Sequence, residues 1–250
     1  MTNNNIYFIA NWKMYGSLNS LNSVKKLINL SKKKKFKKVK IIYCPPYTLL
    51  NDFVKLTKKT RIRTGAQNCH ELEFTGPFTG SVSPYMIASL GVKYVIIGHS
   101  ENRSIGENNL TINKKIISSL KQKLKIIFCI GETIKEKKKN KTNQVLKKQI
   151  TEGLKNVKKI DNILFAYEPV WSIGTGVIPK IHDLQKQLHT LKKFISKKFN
   201  YKNPILLYGG SVNQKNATLL KQIDEIKGFL VGGASQNSNK FIDIIKKTII

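Results

Sequence analysis

The strongest constraint on this chain is an alternation. Short runs rich in Ile, Val, Leu, Tyr and Phe recur from end to end: "IYFIA" from Ile6, "KIIYC" from Lys40, "RIRTGAQ" from Arg61, "KYVIIG" from Lys93, "KIIFCIG" from Lys125, "ILFAY" from Ile163, "ILLYG" from Ile205 and "GFLVGG" from Gly228. Most lack strict polar alternation, as expected of strands covered on both faces. Longer segments with helical spacing separate them. Leu21, Val24, Leu27 and Ile28 share one helical face, and Leu184, Leu188, Leu191 and Ile195 repeat the pattern later. Strand-then-helix units in this number specify an α/β chain whose parallel strands either close into a (β/α)8 barrel or open into a doubly wound sheet. No G-x-G-x-x-G follows the first run and no P-loop occurs, so the two common nucleotide signatures are missing. The length of 250 residues matches one barrel domain, and no linker or internal repeat divides residues 1–250.

Composition removes other classes. Apolar residues make up 40% of the chain, too many for a disordered one. No apolar run approaches a membrane span, and the first residues carry neither the basic nor the apolar part of a signal peptide. Cys44, Cys69 and Cys129 are far apart and outside any C-x-x-C pattern, which fits free thiols in a reducing cytoplasm. The four histidines show no ligand spacing, so no metal is expected. The formal charge of +31 resides in runs such as "KKKKFKKVK" at Lys32 to Lys40 and "KEKKKNK" at Lys135 to Lys141. Lysine is spread over nearly every helical segment without an aromatic stripe. That distribution reads as solvated helix faces rather than a nucleic-acid surface.

Polar residues gather where the runs end. Asn11 and Lys13 follow the first, Gln67 and Asn68 the third, His99, Ser100 and Glu101 the fourth, Glu132 the fifth and Glu168 the sixth. In a barrel these ends share one face, where active sites are built. Gly209-Gly210-Ser211 and Gly232-Gly233 follow the last two runs. Paired glycines before a helix start let backbone N–H groups approach an anion, and late βα-loops are the usual phosphate site. A carboxylate base at Glu168, an imidazole donor at His99 and an ammonium at Lys13, converging beside a phosphorylated sugar, suit proton transfer next to a carbonyl.

The segments "ANWKMYGS", "GAQN", "FTGPFTG", "VIIGHSENR", "CIGE", "AYEPVWSIGTG", "YGGSV" and "VGGAS" resemble, in this order and over nearly the whole chain, those of the triosephosphate isomerase family. The resemblance implies a single-domain TIM barrel. It also implies a cytoplasmic homodimer that interconverts dihydroxyacetone phosphate and D-glyceraldehyde 3-phosphate through an enediolate, in glycolysis and gluconeogenesis, with no cofactor. By matching motifs, Glu168 is the base, a neutral His99 the electrophile and proton shuttle, and Lys13 the positive charge on substrate and enediolate. Asn11 adds a hydrogen bond and Glu101 orients the site. Asn11, Lys13, Gly174, Ser211, Gly232 and Gly233 bind substrate and its phosphate. Pro169-Val170-Trp171 resembles the first hinge of a lid, and the Phe74 to Ser83 loop, with Thr79, resembles a dimer loop that docks near the partner's first loop.

The chain departs from the family pattern at Ala10, Tyr15, Ser81 and Asn102. The last two replace residues that can pair across the dimer interface, and both charges are absent together. At the far lid hinge it has Val177-Ile178-Pro179. A family tyrosine matching Tyr208 bonds a backbone N–H at the position of Pro179, and proline has none. The expectation is that this latch is missing, that Ser211 with the backbone near Gly176 supplies the closing contact, and that Tyr208 has little influence on the lid. A basic nucleic-acid-binding protein on an enzyme scaffold is the rival reading. Retention of Lys13, His99 and Glu168 argues against it.

Overall fold

The computed structural model describes residues 5–249. Its strands are β1 (Ile6–Asn11), β2 (Val39–Cys44), β3 (Arg63–Ala66), β4 (Tyr94–Ile97), β5 (Lys125–Ile130), β6 (Ile163–Tyr167), β7 (Ile205–Tyr208) and β8 (Ile226–Val231). They pair in parallel in sequence order, and β8 returns to β1 with Phe8 opposite Phe229 and Ile9 opposite Leu230. The sheet is therefore a closed barrel, which settles the choice that periodicity had left between barrel and open sheet. Each apolar run from the sequence overlaps one strand, though β1, β2 and β8 extend one or two residues beyond their runs.

Around the barrel run α1 (Leu21–Lys32), α2 (Tyr47–Thr57), α3 (Pro84–Ser89), α4 (Ser100–Ser104), α5 (Asn109–Lys121), α6 (Ile134–Lys138), α7 (Thr142–Gly153), α8 (Ile181–Phe199), α9 (Ala217–Lys221) and α10 (Ser238–Ile249). Side chains alternate across each strand, and here both directions are apolar. Ile9, Ile42, Ile96, Ile127, Leu164 and Leu207 fill the barrel. Phe8, Tyr43, Val95, Phe128, Phe165 and Phe229 point outward and pack with buried helix residues such as Leu27, Ile116 and Leu188. This double burial is why the strands read as continuous apolar runs.

The lysine runs lie on the outside: Lys32 to Lys35, Lys37, Lys38 and Lys40 are all exposed, while Phe36 and Val39 between them turn inward. Among the described residues no helix is long and apolar enough to cross a membrane. All three cysteines are buried and free.

Candidate active site

Lys13 leaves the end of β1 in the left-handed region, with φ of 55°. A non-glycine residue held there stores on the order of 1 kcal/mol or more of strain, so the surroundings must impose it. Two side chains do so. Asn11 Oδ1 accepts the Lys13 N–H at 3.1 Å, and Gln67 Nε2 donates to the Lys13 carbonyl at 2.8 Å and to that of Cys44 at 2.8 Å. The Lys13 ammonium then meets Glu101 Oε1 at 2.6 Å.

His99 caps α4. Its Nδ1 accepts the backbone N–H of Glu101 at 3.2 Å. An amide can only donate, so the ring's proton sits on Nε2. That nitrogen lies 3.6 Å from Glu168 Oε1. Glu168 follows β6 and is 2% exposed. Burial pushes its carboxyl above the usual range. The neighbouring His99 ring, the Cys129 thiol, the Lys13 charge and the Ser100 N–H pull the other way. Carboxylate and backbone are crowded at this point. A Cβ on Gly209 would come within 2.7 Å of Glu168 Cγ, so the bare chain there makes room for the acid.

Asn11, Lys13, His99, Glu168, Gly174, Ser211, Gly232 and Gly233 line one cavity of about 320 Å³ at the carboxyl ends of the strands. The structure thus brings together every candidate named from sequence except Glu101. That residue is exposed and reaches the site only through Lys13 and His99. Gly232 passes close to the Lys13 stem, where a Cβ would meet Cε at 3.3 Å.

The covering segment after Glu168 is anchored more heavily than its sequence indicates. Trp171 Nε1 donates to Glu132 Oε1 at 2.9 Å, the Tyr167 hydroxyl donates to the same carboxylate at 3.2 Å, and the Lys137 ammonium lies 3.4 Å from the centre of the Trp171 ring. Glu132 is 1% exposed, and burial raises its carboxyl above the usual range. The lid expectations need correction. Among the described contacts Tyr208 makes no bond to the position of Pro179, as the missing N–H requires. Yet Tyr208 is tied to the lid, through the Ser172 hydroxyl at 3.0 Å. The Ser211 N–H also goes to Ser172, at 3.3 Å, rather than to the backbone near Gly176. Gln67 and Glu132 were visible in sequence as polar residues at strand ends. Ser172 carried no signal, because a serine in a loop is ordinary.

The family model described as Triosephosphate isomerase matches residues 6–248. The chain belongs to the triosephosphate isomerase family. The triosephosphate isomerase of Dictyoglomus thermophilum is 43% identical over 95% of this chain and 97% of that protein. That of Saccharomyces cerevisiae is 40% identical over 96% and 97%. The crystal structure of triosephosphate isomerase from Bartonella henselae superposes with a TM-score of 0.87 at 32% identity, covering 97% of this chain and 98% of that one. Sequence and fold agree over the full barrel, so the protein is an isomerase of this family.

Proposed function

We propose that this chain carries out the family's reaction, interconversion of dihydroxyacetone phosphate and D-glyceraldehyde 3-phosphate, with Glu168, His99, Lys13 and Asn11 in the chemical roles. The observation that carries this reading is the shared cavity, with Glu168 Oε1 and His99 Nε2 facing each other across 3.6 Å. Glu168 takes a proton from the carbon beside the carbonyl and returns it to the neighbouring carbon. Its near-complete burial makes it a stronger base than a hydrated carboxylate. The Nε2 proton of His99 polarises the carbonyl oxygen and moves between the two oxygens of the enediolate. Lys13, preset by Asn11 and Gln67, places positive charge where oxyanion develops, and needs no rearrangement to do so. The Oδ1 of Asn11 is occupied by the Lys13 N–H, which leaves its amide to donate to substrate. Glu101 holds the Lys13 ammonium through its carboxylate and the His99 ring through its backbone N–H rather than touching substrate. Gly174, Ser211, Gly232 and Gly233 bind phosphate through backbone groups.

Residues 1–250 act as one catalytic domain, since β1 pairs with β8 and neither half of the chain can close the barrel alone. The protein works as a cytoplasmic homodimer without cofactor. Support for the dimer comes from apolar side chains left exposed on two loops: Met14, Tyr15 and Leu18 after β1, and Leu72, Phe74 and Phe78 after β3. The second loop is held in shape by the His70 N–H on the Val82 carbonyl at 2.8 Å and by His70 against the Phe78 ring at 4.5 Å. A coupled assay on the wild type and on Glu168→Asp tests the reading. The shorter acid should lower kcat by about 100-fold or more with little change in KM, because proton transfer depends on reach. Unaltered turnover in Glu168→Asp would remove this residue from the base role.

A further inference from the structure

Ser172 lies at the end of the short turn after Pro169 and is fully buried, yet it does not line the cavity. Its hydroxyl lies 2.6 Å from the Val177 carbonyl, 3.0 Å from the Tyr208 hydroxyl and 3.3 Å from the Ser211 N–H. A hydroxyl offers one proton and two lone pairs. The Val177 carbonyl can only accept, so it takes the Ser172 proton. The Ser211 amide can only donate. The Tyr208 phenol must then donate as well, and the oxygen is fully used: one bond out, two bonds in. The partners' chemistry fixes these directions without reference to any observed hydrogen.

Three parts of the chain therefore meet at one atom. Val177 belongs to the second half of the covering segment, Tyr208 ends β7, and Ser211 belongs to the loop between β7 and α9. The meeting point has no spare room. A Cβ on Gly210 would lie 2.3 Å from the Tyr208 oxygen and 2.8 Å from the Ser172 oxygen. Thr175 closes the turn around the same residue. Its hydroxyl donates to the Ser172 carbonyl at 3.0 Å and accepts the Val177 N–H at 3.2 Å. Gly174 and Gly176, with φ of 74° and 79°, form the bend between the two anchored ends.

We infer that Ser172 is a positioning residue for the phosphate end of the site, its hydroxyl joining Tyr208 and Ser211 to Val177 so that the segment carrying Gly174 and Gly176 is held against the loop carrying Ser211. This rests on the reading that those residues bind the substrate phosphate. Pro179 removes a donor from the far hinge, and the hydroxyl of Ser172 gives Tyr208 another way to reach it. Removing the hydroxyl leaves the buried Tyr208 phenol, and the part-buried Ser211 amide and Val177 carbonyl, without their common partner.

The test compares wild type with Ser172→Ala, Tyr208→Phe and the double variant. It uses calorimetry with 2-phosphoglycolate, steady-state kinetics with D-glyceraldehyde 3-phosphate, and amide hydrogen exchange. Ser172→Ala should weaken 2-phosphoglycolate about tenfold and raise KM by a similar factor, with kcat falling about threefold or less. A purely structural loss would lower the active fraction, and so kcat, while leaving KM alone. Tyr208→Phe should shift KM in the same direction. The double variant should be no worse than the more affected single one, because both changes cut the same link. Exchange should quicken in 170–180 and 209–214 and stay unaltered in the barrel strands. Inhibitor affinity and KM within twofold of wild type in Ser172→Ala, or effects that multiply in the double variant, would overturn the inference. An inactive wild type would instead overturn the functional reading, and the exchange pattern would still decide the link.

Discussion

Lys13 shows how little residue type says in a chain with 45 lysines and arginines. What distinguishes it is its place: left-handed backbone at the end of β1, two side chains holding that backbone, and an ammonium turned into the cavity. Surface lysines more than about 8–10 Å away are screened in physiological salt and cannot substitute. Lys13→Met should therefore lower kcat/KM by at least about 100-fold, the effect of losing roughly 3 kcal/mol of preorganised stabilisation. Near-normal activity would mean that the general field of the lysine surface suffices. Glu168 carries an opposite tension. Because burial raises its folded-state pKa, the native state holds its proton to higher pH than the unfolded chain does. Stability contributed by this group is therefore lost as pH rises from the ordinary carboxylate range through the raised value. Activity moves the other way, since the base must be ionised. Glu168→Gln should gain about 1 kcal/mol at pH 8, a rise of roughly 2–4 °C in Tm for a chain of this size, and lose turnover. The gain should shrink below pH 4. A variant less stable than wild type at pH 8 would show that the partners of Glu168 outweigh its desolvation. In the wild type, the acid limb of kcat/KM should fall above the usual glutamate range.

At the scale of elements, the site depends on strand ends that come unusually close. The turn after β7 is the clearest case. The irregular register between β7 and β8 at Leu206 and Tyr208 falls just before Gly209, where bare backbone faces the Glu168 side chain. Gly209→Ala would place a methyl 2.7 Å from Glu168 Cγ and 3.1 Å from its Oε1. The side chain must move, and a displacement near 1 Å at a reacting group costs about 100-fold in rate. Kinetics should show kcat lowered at least tenfold. A fully active Gly209→Ala would mean that Glu168 has slack which its packing does not reveal. From sequence the paired glycines read as a candidate anion site. Their second purpose, making room for Glu168, was not legible there, because Glu168 lies 41 positions away in the chain and meets Gly209 only through the pairing of β6 with β7.

For the whole molecule, the question is what covers the exposed apolar loops. Met14 is 93% exposed and Phe74 56%. Side chains of this kind on two ordered loops mark a surface made for association. Sedimentation at micromolar concentration should give a dimer, and activity per chain should fall on dilution as monomers accumulate. A Met14→Glu, Phe74→Glu double variant should shift the balance to monomer and reduce activity. A fully active wild-type monomer would contradict the proposal. Ser81 and Asn102 bring no ion pair to the proposed interface for salt to break, and screening of the +31 charge on each chain should favour association as salt rises.

Sequence alone determined the α/β class and, with the family resemblance, marked the residues of the site. Eight apolar runs separated by amphipathic helices require doubly covered parallel strands, and polar residues at the run ends mark the functional face, because strand direction puts all those ends together. Glu168, His99 and Lys13 stood out as candidates by that position, and the family resemblance supplied their roles. Only the tertiary structure decided that the sheet closes, with Phe8 beside Phe229, since closure is a pairing between chain ends that no local pattern encodes. It also decided how the site is held. Gln67 supports Lys13 from 54 positions away, Glu132 receives Trp171 from 39, and Ser172 receives Tyr208 from 36. Each of these is a hydrogen bond between groups too ordinary to stand out in a sequence. Their importance comes from burial and direction, which exist only once the barrel has brought the strand ends to one mouth.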